Sequence, residues 1–470
     1  MYSNLQSVLP CDVAVIGAGA SGTLVAAQFD RLAPLDARLV LIGDQPRPAR
    51  GVAYETPYQT NLLNVPAGNM SAFPNDVEHF TRWLAKHLPG SNAATFAPRK
   101  LYGNYLLNLF MKLRKYSNKI DYLNTEVIDI TRQDGLWFLE LANGNVVKAY
   151  SVVLAVGNSL PPADPIDFRA AKSHYFRNPW TPEATKDLPA EAPILLIGTG
   201  LTMVDVALAL RETGHRGPIH AISRHGRLSQ THKSYEPRCL NELPADFHSP
   251  HGALRWIRAR IKKEEQTGNN WRAVIDSLRP HTAAIWQGWS LQQRSSFLRH
   301  ARNLWDVHRH RIAPEIYERL SILVEDRELT LHQDSLVSAA KVNDGIAVAW
   351  KDRKTSELKT LHVARVINCT GPSRDLEKTR SSLISKLFHA GWISADALKL
   401  GLETDLNGRL FDKHGNVAPG LYTLGPLRIA GLWESVAIPE IRSQALELVK
   451  LLIKEYEAAR IPIQGAMAKW

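Results

Sequence analysis

Hydrophobic and polar positions along the chain fall into two regimes. Val13, Ala14, Val15 and Ile16 form an unbroken apolar run, the pattern of a strand buried on both faces. Gly17-Ala18-Gly19-Ala20-Ser21-Gly22 follows at once. Residues 23–32 then continue with helix-compatible residues, and residues 39–42 supply a second short apolar strand. The order predicts strand, glycine turn, helix, strand. It returns once, as Ile194-Leu195-Leu196-Ile197, then Gly198-Thr199-Gly200-Leu201-Thr202-Met203, a helical stretch over 204–211 and a strand over 219–222. Met203 stands where a third glycine or alanine is usual. Two more apolar runs end in glycine, 152–157 and 363–371, each downstream of one unit like a strand returning to its sheet. Between about 240 and 320 the pattern changes. Trp256, Trp271, Trp286, Trp289 and Trp305 recur among Leu, Arg and His at helical spacing, and glycine is scarce, which predicts a helical insertion.

Composition narrows the function classes. With 470 residues, 44% hydrophobic and 22% charged, the chain is ordinary globular material with room for several modules. Cys11, Cys239 and Cys369 lie far apart, which excludes a disulfide scaffold, a Cys-rich zinc site and a closely spaced dithiol. The net charge of +11 suits nucleic acid, an anionic surface or a small acidic molecule without choosing among them. Residues 226–320 carry 16 Lys and Arg against 9 acids, so most of the excess is local. Tryptophan at helical spacing reads as a packed cap before it reads as a nucleic-acid surface. The most apolar windows, 12–28 and 193–210, are broken by glycines and by Asp12 or Asp205, so neither is a membrane span. No secretory signal pattern opens the sequence, and a cytoplasmic protein is expected. His300, His308 and His310 are close in sequence. An i, i+2 pair on a helix points to different sides, so no metal site is expected.

The turns carry the chemistry. Gly17, Gly19 and Gly22, with Ser21 among them, allow a tight turn and close backbone approach, so that a pyrophosphate can rest on the N-terminus of the helix that follows. An acid at the end of the second strand would bind a ribose hydroxyl; Gly43 takes that place and Asp44 comes one residue later. In the second unit Gly198, Thr199, Gly200, Leu201 and Thr202 form the corresponding turn. Ser223, Arg224 and Arg227 follow its second strand with no acid among them. A carboxylate would repel a 2′-phosphate, whereas two Arg and a Ser would hold it, which predicts NADPH in the second unit. FAD is then the expected occupant of the first.

At this level the chain resembles a flavoprotein with two dinucleotide-binding domains. It is similar to an FAD/NAD(P)-binding family marked by Gly51-Val52-Ala53-Tyr54, Leu63-Asn64-Val65-Pro66-Ala67 and Met70-Ser71-Ala72-Phe73-Pro74. Phe96-Ala97-Pro98-Arg99, Leu101-Tyr102-Gly103, Asn178-Pro179-Trp180 and Leu432-Trp433-Glu434 extend the likeness over nearly the whole length. It also resembles the class B and N-hydroxylating flavin monooxygenases. Phe168, His174 and Trp180 occupy their linker fingerprint, with five residues between His and Trp instead of three. The flavin ring needs polar partners along one edge and an apolar wall. Asn61 and Asn64 are candidates for the edge, and Val65, Pro66 and Met70 for the wall. The resemblance places Val127 at the adenine, Gly157 in the returning turn, and Gly425, Pro426 and Ile438 where a closing strand and helix face the flavin. It makes Asn64 and His174 the candidate catalytic side chains.

The expected fold is α/β, two Rossmann-like domains with a mainly helical insertion at about 240–320. The FAD domain is expected over 1–165 and 360–470, and the NADPH domain over 166–359. By resemblance, NADPH reduces the flavin, O2 reacts with it, and one oxygen atom passes to a small polar substrate, with nitrogen of an amino acid or amine preferred. The alternatives are an NADPH-dependent flavin reductase or dehydrogenase with a non-oxygen acceptor, and a nucleic-acid-binding flavoprotein. The expected partners are a small-molecule substrate and O2, with a membrane excluded and nucleic acid disfavoured; the oligomeric state is left open.

Overall fold

The computed structural model describes residues 10–162, 166–353, 355–377 and 382–467. The expected boundary at 165 lies outside them. The chain divides into two compact units. The first comprises 1–55, 66–159 and 374–470, and the second 56–65 and 160–373.

In the first unit the chain runs β1 (Cys11–Ile16), α1 (Ala20–Leu32), β2 (Leu39–Ile42), α2 (His79–His87), α3 (Arg99–Tyr116), β3 (Ile120–Leu123), β4 (Val127–Gln133), β5 (Leu136–Leu141) and β6 (Val146–Leu154). β1 pairs in parallel with β2 on one side and β6 on the other, and β3 pairs in parallel with β2. All four residues of β2 are buried, as its uninterrupted apolar run requires. The hairpin of β4 and β5 joins β6 antiparallel, and β5 alternates half-buried and buried residues.

The second unit follows with β7 (Tyr175–Phe176), β8 (Ile194–Ile197), α4 (Leu201–Glu212) and β9 (Ile219–Ile222). The insertion is helical as expected: α5 (Pro250–Gln266), α6 (Trp271–Ser277), α7 (Thr282–Gly288), α8 (Leu291–His300), α9 (Arg302–Arg309) and α10 (Pro314–Glu325). Local chemistry sets its starts. Ser249 and Asn270 cap α5 and α6, and Ser290 with Gln293 forms a capping box on α8. Trp286 and Trp289 are buried in this cap, and Trp289 donates its indole N–H to the Phe247 carbonyl at 2.8 Å. The chain then makes β10 (Leu329–His332), β11 (Ser335–Val342), β12 (Gly345–Lys351), β13 (Leu358–Val363) and β14 (Arg365–Asn368). Among the described residues the parallel sheet has the order β10-β9-β8-β14-β7, and β11, β12 and β13 form a separate antiparallel sheet. Ile346, Val348 and Trp350 of that small sheet share a core with Leu195, Ile222 and Val366 of the parallel one.

The chain returns to the first unit with α11 (Ser382–Ala390), β15 (Arg409–Phe411), β16 (Val417–Thr423), α12 (Ile429–Leu432) and the long α13 (Ile438–Met467). β16 joins the first sheet parallel to β6, and β15 pairs antiparallel on its outer side.

Two expected boundaries need correction. The expected FAD domain takes in residues 360–373, but β14 pairs residue for residue with β8, Val366 beside Leu195, and so belongs to the second unit. Residues 56–65 also leave the first unit. The Glu212 carboxylate at the end of α4 accepts the N–H groups of Gln59 at 3.1 Å and Thr60 at 3.0 Å, and the Tyr58 hydroxyl lies 2.5 Å from that of Thr185.

Trp137 in β5 is fully buried, donates to the Pro419 carbonyl at 3.1 Å and meets Trp392 edge-on at 4.9 Å. Trp137→Ala is expected to cost about 3–5 kcal/mol in chemical denaturation, as other large-to-small core changes do.

Candidate functional site

The two glycine turns are built alike. Gly17 and Gly198 have φ of 110° and 109°, in the region an L side chain rarely enters. Their amides donate at 2.8 Å to Ile42 and Ile222, the last residues of β2 and β9. A Cβ on Gly17 would stand 2.7 Å from the carbonyl carbon of Ala155, and one on Gly198 2.7 Å from the carbonyl oxygen of Cys369. Both residues therefore press against the strand that returns beside their own. Gly19 and Gly200 follow as N-caps with (φ, ψ) of (−80°, −162°) and (−84°, −168°). Met203 in place of a third glycine thus leaves the turn's backbone unchanged.

Neither helix has a side-chain cap or an acid in its first turn. The amides that begin α1 and α4 lack a partner from within the helix, and with the helix dipole they form a seat for a negatively charged group. A Cβ on Gly200 would meet nothing within 4 Å, so the space above that cap is open.

Within the first unit, one expected residue meets the turn directly. Gly425, at φ 73°, approaches Ser21; a Cβ there would stand 3.2 Å from the Ser21 hydroxyl. Its amide donates to Gln444 of α13 at 2.9 Å, which ties the closing strand to that helix. Pro426 continues the turn after β16, and Ile438 is buried at the start of α13. Asp44 is exposed immediately beyond β2, and Val127 is buried at the start of β4 beside a register shift. Gly157, at φ 72°, follows β6. Met70 belongs to the first unit as well. It lies in a buried run with Ser71, Ala72 and Phe73, and the Ser71 carbonyl accepts from Arg442 at 3.0 Å. Gln45 escaped the sequence reading. Its side-chain amide would lie 3.6 Å from a Cβ on Gly19, and its Oε1 is buried without a partner.

Within the second unit, Thr199 donates to the Arg227 carbonyl at 2.8 Å and lies 2.9 Å from the Ser223 hydroxyl, which accepts the Gly226 N–H at 3.0 Å. These bonds fold the 223–227 loop over the glycine turn. Ser223 thus shapes the loop, while the Arg224 and Arg227 side chains stay exposed. Burial first, then Arg227, Arg224 and Arg353, hold His225 below its ordinary pKa. Arg353 lies far away in sequence and was not anticipated.

Asn61, Asn64 and Val65 separate from Met70 and pack with the second unit. Asn61 is buried, donates to Thr56 at 3.0 Å and leaves its Oδ1 unpartnered. The Asn64 carbonyl accepts from His232 Nε2 at 3.1 Å. Burial, then the charge of Arg311, pushes the His232 pKa down to about 4. His174 Nδ1 lies 3.0 Å from the Ala364 carbonyl, and the His174 carbonyl accepts from Val366 at 2.8 Å, so this residue is built into the sheet edge. Phe168 stacks on Tyr175 at 4.3 Å, while Trp180 is 37% exposed. His308 meets Trp271 and His310 lies 3.9 Å from Asp306, so the two point to different neighbours.

Residues 14–159 match the family described as FAD-NAD(P)-binding. No curated protein matches the chain in sequence. Among solved structures, it is similar to ornithine hydroxylase from Pseudomonas aeruginosa, with 17% identity, a TM-score of 0.67, and coverage of 95% of this chain and 99% of the other. L-lysine 6-monooxygenase from Pseudomonas syringae gives 16% identity, a TM-score of 0.67, and 94% and 99% coverage. Ornithine N-hydroxylase from Kutzneria sp. 744, in a structure named for reduced FAD, NADP+ and L-ornithine, gives 14% identity, a TM-score of 0.66, and 95% and 100% coverage. These likenesses establish the fold along almost the entire chain. No helix among the described residues is long and apolar enough to cross a membrane.

His232 supplies a pH test. Its folded pKa lies below the unfolded value, so the folded state binds fewer protons. The stability this provides is complete above about pH 6.5, is lost as pH falls toward 4, and amounts to at most about 3 kcal/mol. The melting temperature should therefore drop more steeply over that window in the wild type than in His232→Gln, which keeps a donor for Asn64 but does not titrate.

Proposed function

We propose that this protein is an FAD-dependent, NADPH-consuming monooxygenase that places one oxygen atom of O2 on a nitrogen of a small amino acid or amine. The observation that carries the reading is the pair of matched glycine turns, the second followed by a loop bearing two exposed arginines and no acid. The whole-length likeness in fold to enzymes named for hydroxylating ornithine and lysine supports the choice of reaction.

The first unit fits FAD: its turn leaves no room for a Cβ at Gly17, and Gln45 keeps a buried acceptor free beside Gly19. Gly19 and the N-terminus of α1 would hold the pyrophosphate, and Asp44 would accept from a ribose hydroxyl. Gly425, Pro426 and the start of α13 would face the flavin end. In the second unit, Gly198 to Thr202 would hold the pyrophosphate of NADPH, and Arg224 and Arg227 its 2′-phosphate. When bound, the flavin supplies the electron transfer from the nicotinamide to O2. The chain's own residues bind and orient the two dinucleotides, and the hydride transfer itself needs no acid or base from them.

The test is NADPH consumption under air with ornithine, lysine, cadaverine and other amines, read beside the mass of the product and the peroxide released. A substrate that gains one oxygen, with NADPH preferred over NADH, is the expected result. Reduction of quinones or other acceptors, with peroxide as the sole product under O2, would instead identify a flavin reductase.

A further inference from the structure

The loop after β9 is not the whole of the cationic site. Arg353 sits in the turn between β12 and β13, at the tip of the small antiparallel sheet, and its Nη1 donates to the Arg224 carbonyl at 2.9 Å across 129 positions of sequence. Its own N–H is held by the buried carboxylate of Asp334 at 3.0 Å. Asp352, the nearest acid in sequence, is ion-paired with Lys359. Among the described residues, no carboxylate pairs with Arg224, Arg227 or Arg353.

None of these three guanidiniums has an acidic partner among the described residues, although Arg227 also donates to the Asn303 side chain of α9 at 3.2 Å; all three raise the positive potential at the His225 imidazole, and a multiply charged anion beside them would relieve it. A phosphate monoester carries close to two negative charges and three acceptor oxygens, which suits three cations better than a carboxylate does. The position selects the phosphate. The end of the second strand of such a unit is where the adenosine ribose is read, whereas the pyrophosphate belongs to the helix N-terminus.

We propose that Arg353, delivered by the antiparallel sheet, is the third cationic contact for the 2′-phosphate of NADPH and helps set the preference for NADPH over NADH. This rests on the NADPH assignment above. The small sheet then has a task beyond covering the core: Asp334, just before β11 at the same end of the sheet, and the pairing of β12 with β13 hold the arginine against the loop.

The test is calorimetric titration of the FAD-loaded protein with 2′,5′-ADP and with 5′-AMP, which differ only in the 2′-phosphate. Arg353→Ala should weaken 2′,5′-ADP roughly tenfold, in line with loss of one partly exposed charge-assisted bond, and leave 5′-AMP unchanged. Arg353→Lys should lose less. Two results would overturn the proposal while sparing the NADPH assignment. One is unchanged 2′,5′-ADP binding in Arg353→Ala when Arg224→Ala and Arg227→Ala each weaken it. The other is equal loss of both ligands in Arg353→Ala, the mark of a residue that only supports the loop. Wild-type protein that binds the two ligands equally would overturn both.

Discussion

A glycine held at positive φ against the carbonyl of a neighbouring parallel strand is the constraint on which the rest of the molecule depends. At Gly17 the strand is β6, and at Gly198 it is β14. The contact is close enough that no other residue fits, and it fixes where the chain turns out of the sheet. The helix that follows must then start at one place, with its free amides directed at one patch of space. Strand pairing, turn and helix dipole become one device, and the chain contains it twice.

The contents of each device were legible in the sequence because they are local. Continuous apolar runs, glycine spacing and the absence of an acid after β9 all lie within short windows. Matters that depend on distant pairing were not legible. The β14 run reads as a buried strand whichever sheet receives it, and only its register with β8 assigns it to the second unit. Residues 56–65 carry no periodicity, so nothing in them announced the bonds to Glu212 and Thr185. The small antiparallel sheet was not legible because the mostly exposed β11, half of it Ser and Ala, lacks a clean alternation. Arg353 went unnoticed with it.

The local excess of positive charge also has a different meaning in three dimensions. Much of it is turned inward. Arg238 and Arg260 both pair with Glu264, at 2.8 and 2.9 Å, where that carboxylate is only 4% exposed. Arg311, equally buried, pairs with Asp276 at 2.6 Å, and Arg272 donates to the Thr231 carbonyl at 2.9 Å. Removing one partner from such a pair would strand a buried charge. These arginines fasten the helical cap and the loop that leads into it. Arg224 and Arg227 in the loop after β9, and Arg353 in the hairpin beside it, are by contrast exposed.

The central claim is that two separate dinucleotide seats share this chain, and Gly19 and Gly200 allow each to be closed without disturbing the fold. Both have backbone angles that any residue adopts, and a Cβ at either meets no atom closer than 3.6 Å. The direct measurement is FAD content and NADP+ affinity in Gly19→Val and Gly200→Val, with melting temperatures of the apoproteins as the control for folding. The account predicts complementary losses at unchanged melting temperature, FAD from the first variant and NADP+ from the second. Retention of NADP+ by a folded Gly200→Val protein, or of FAD by a folded Gly19→Val protein, would contradict it.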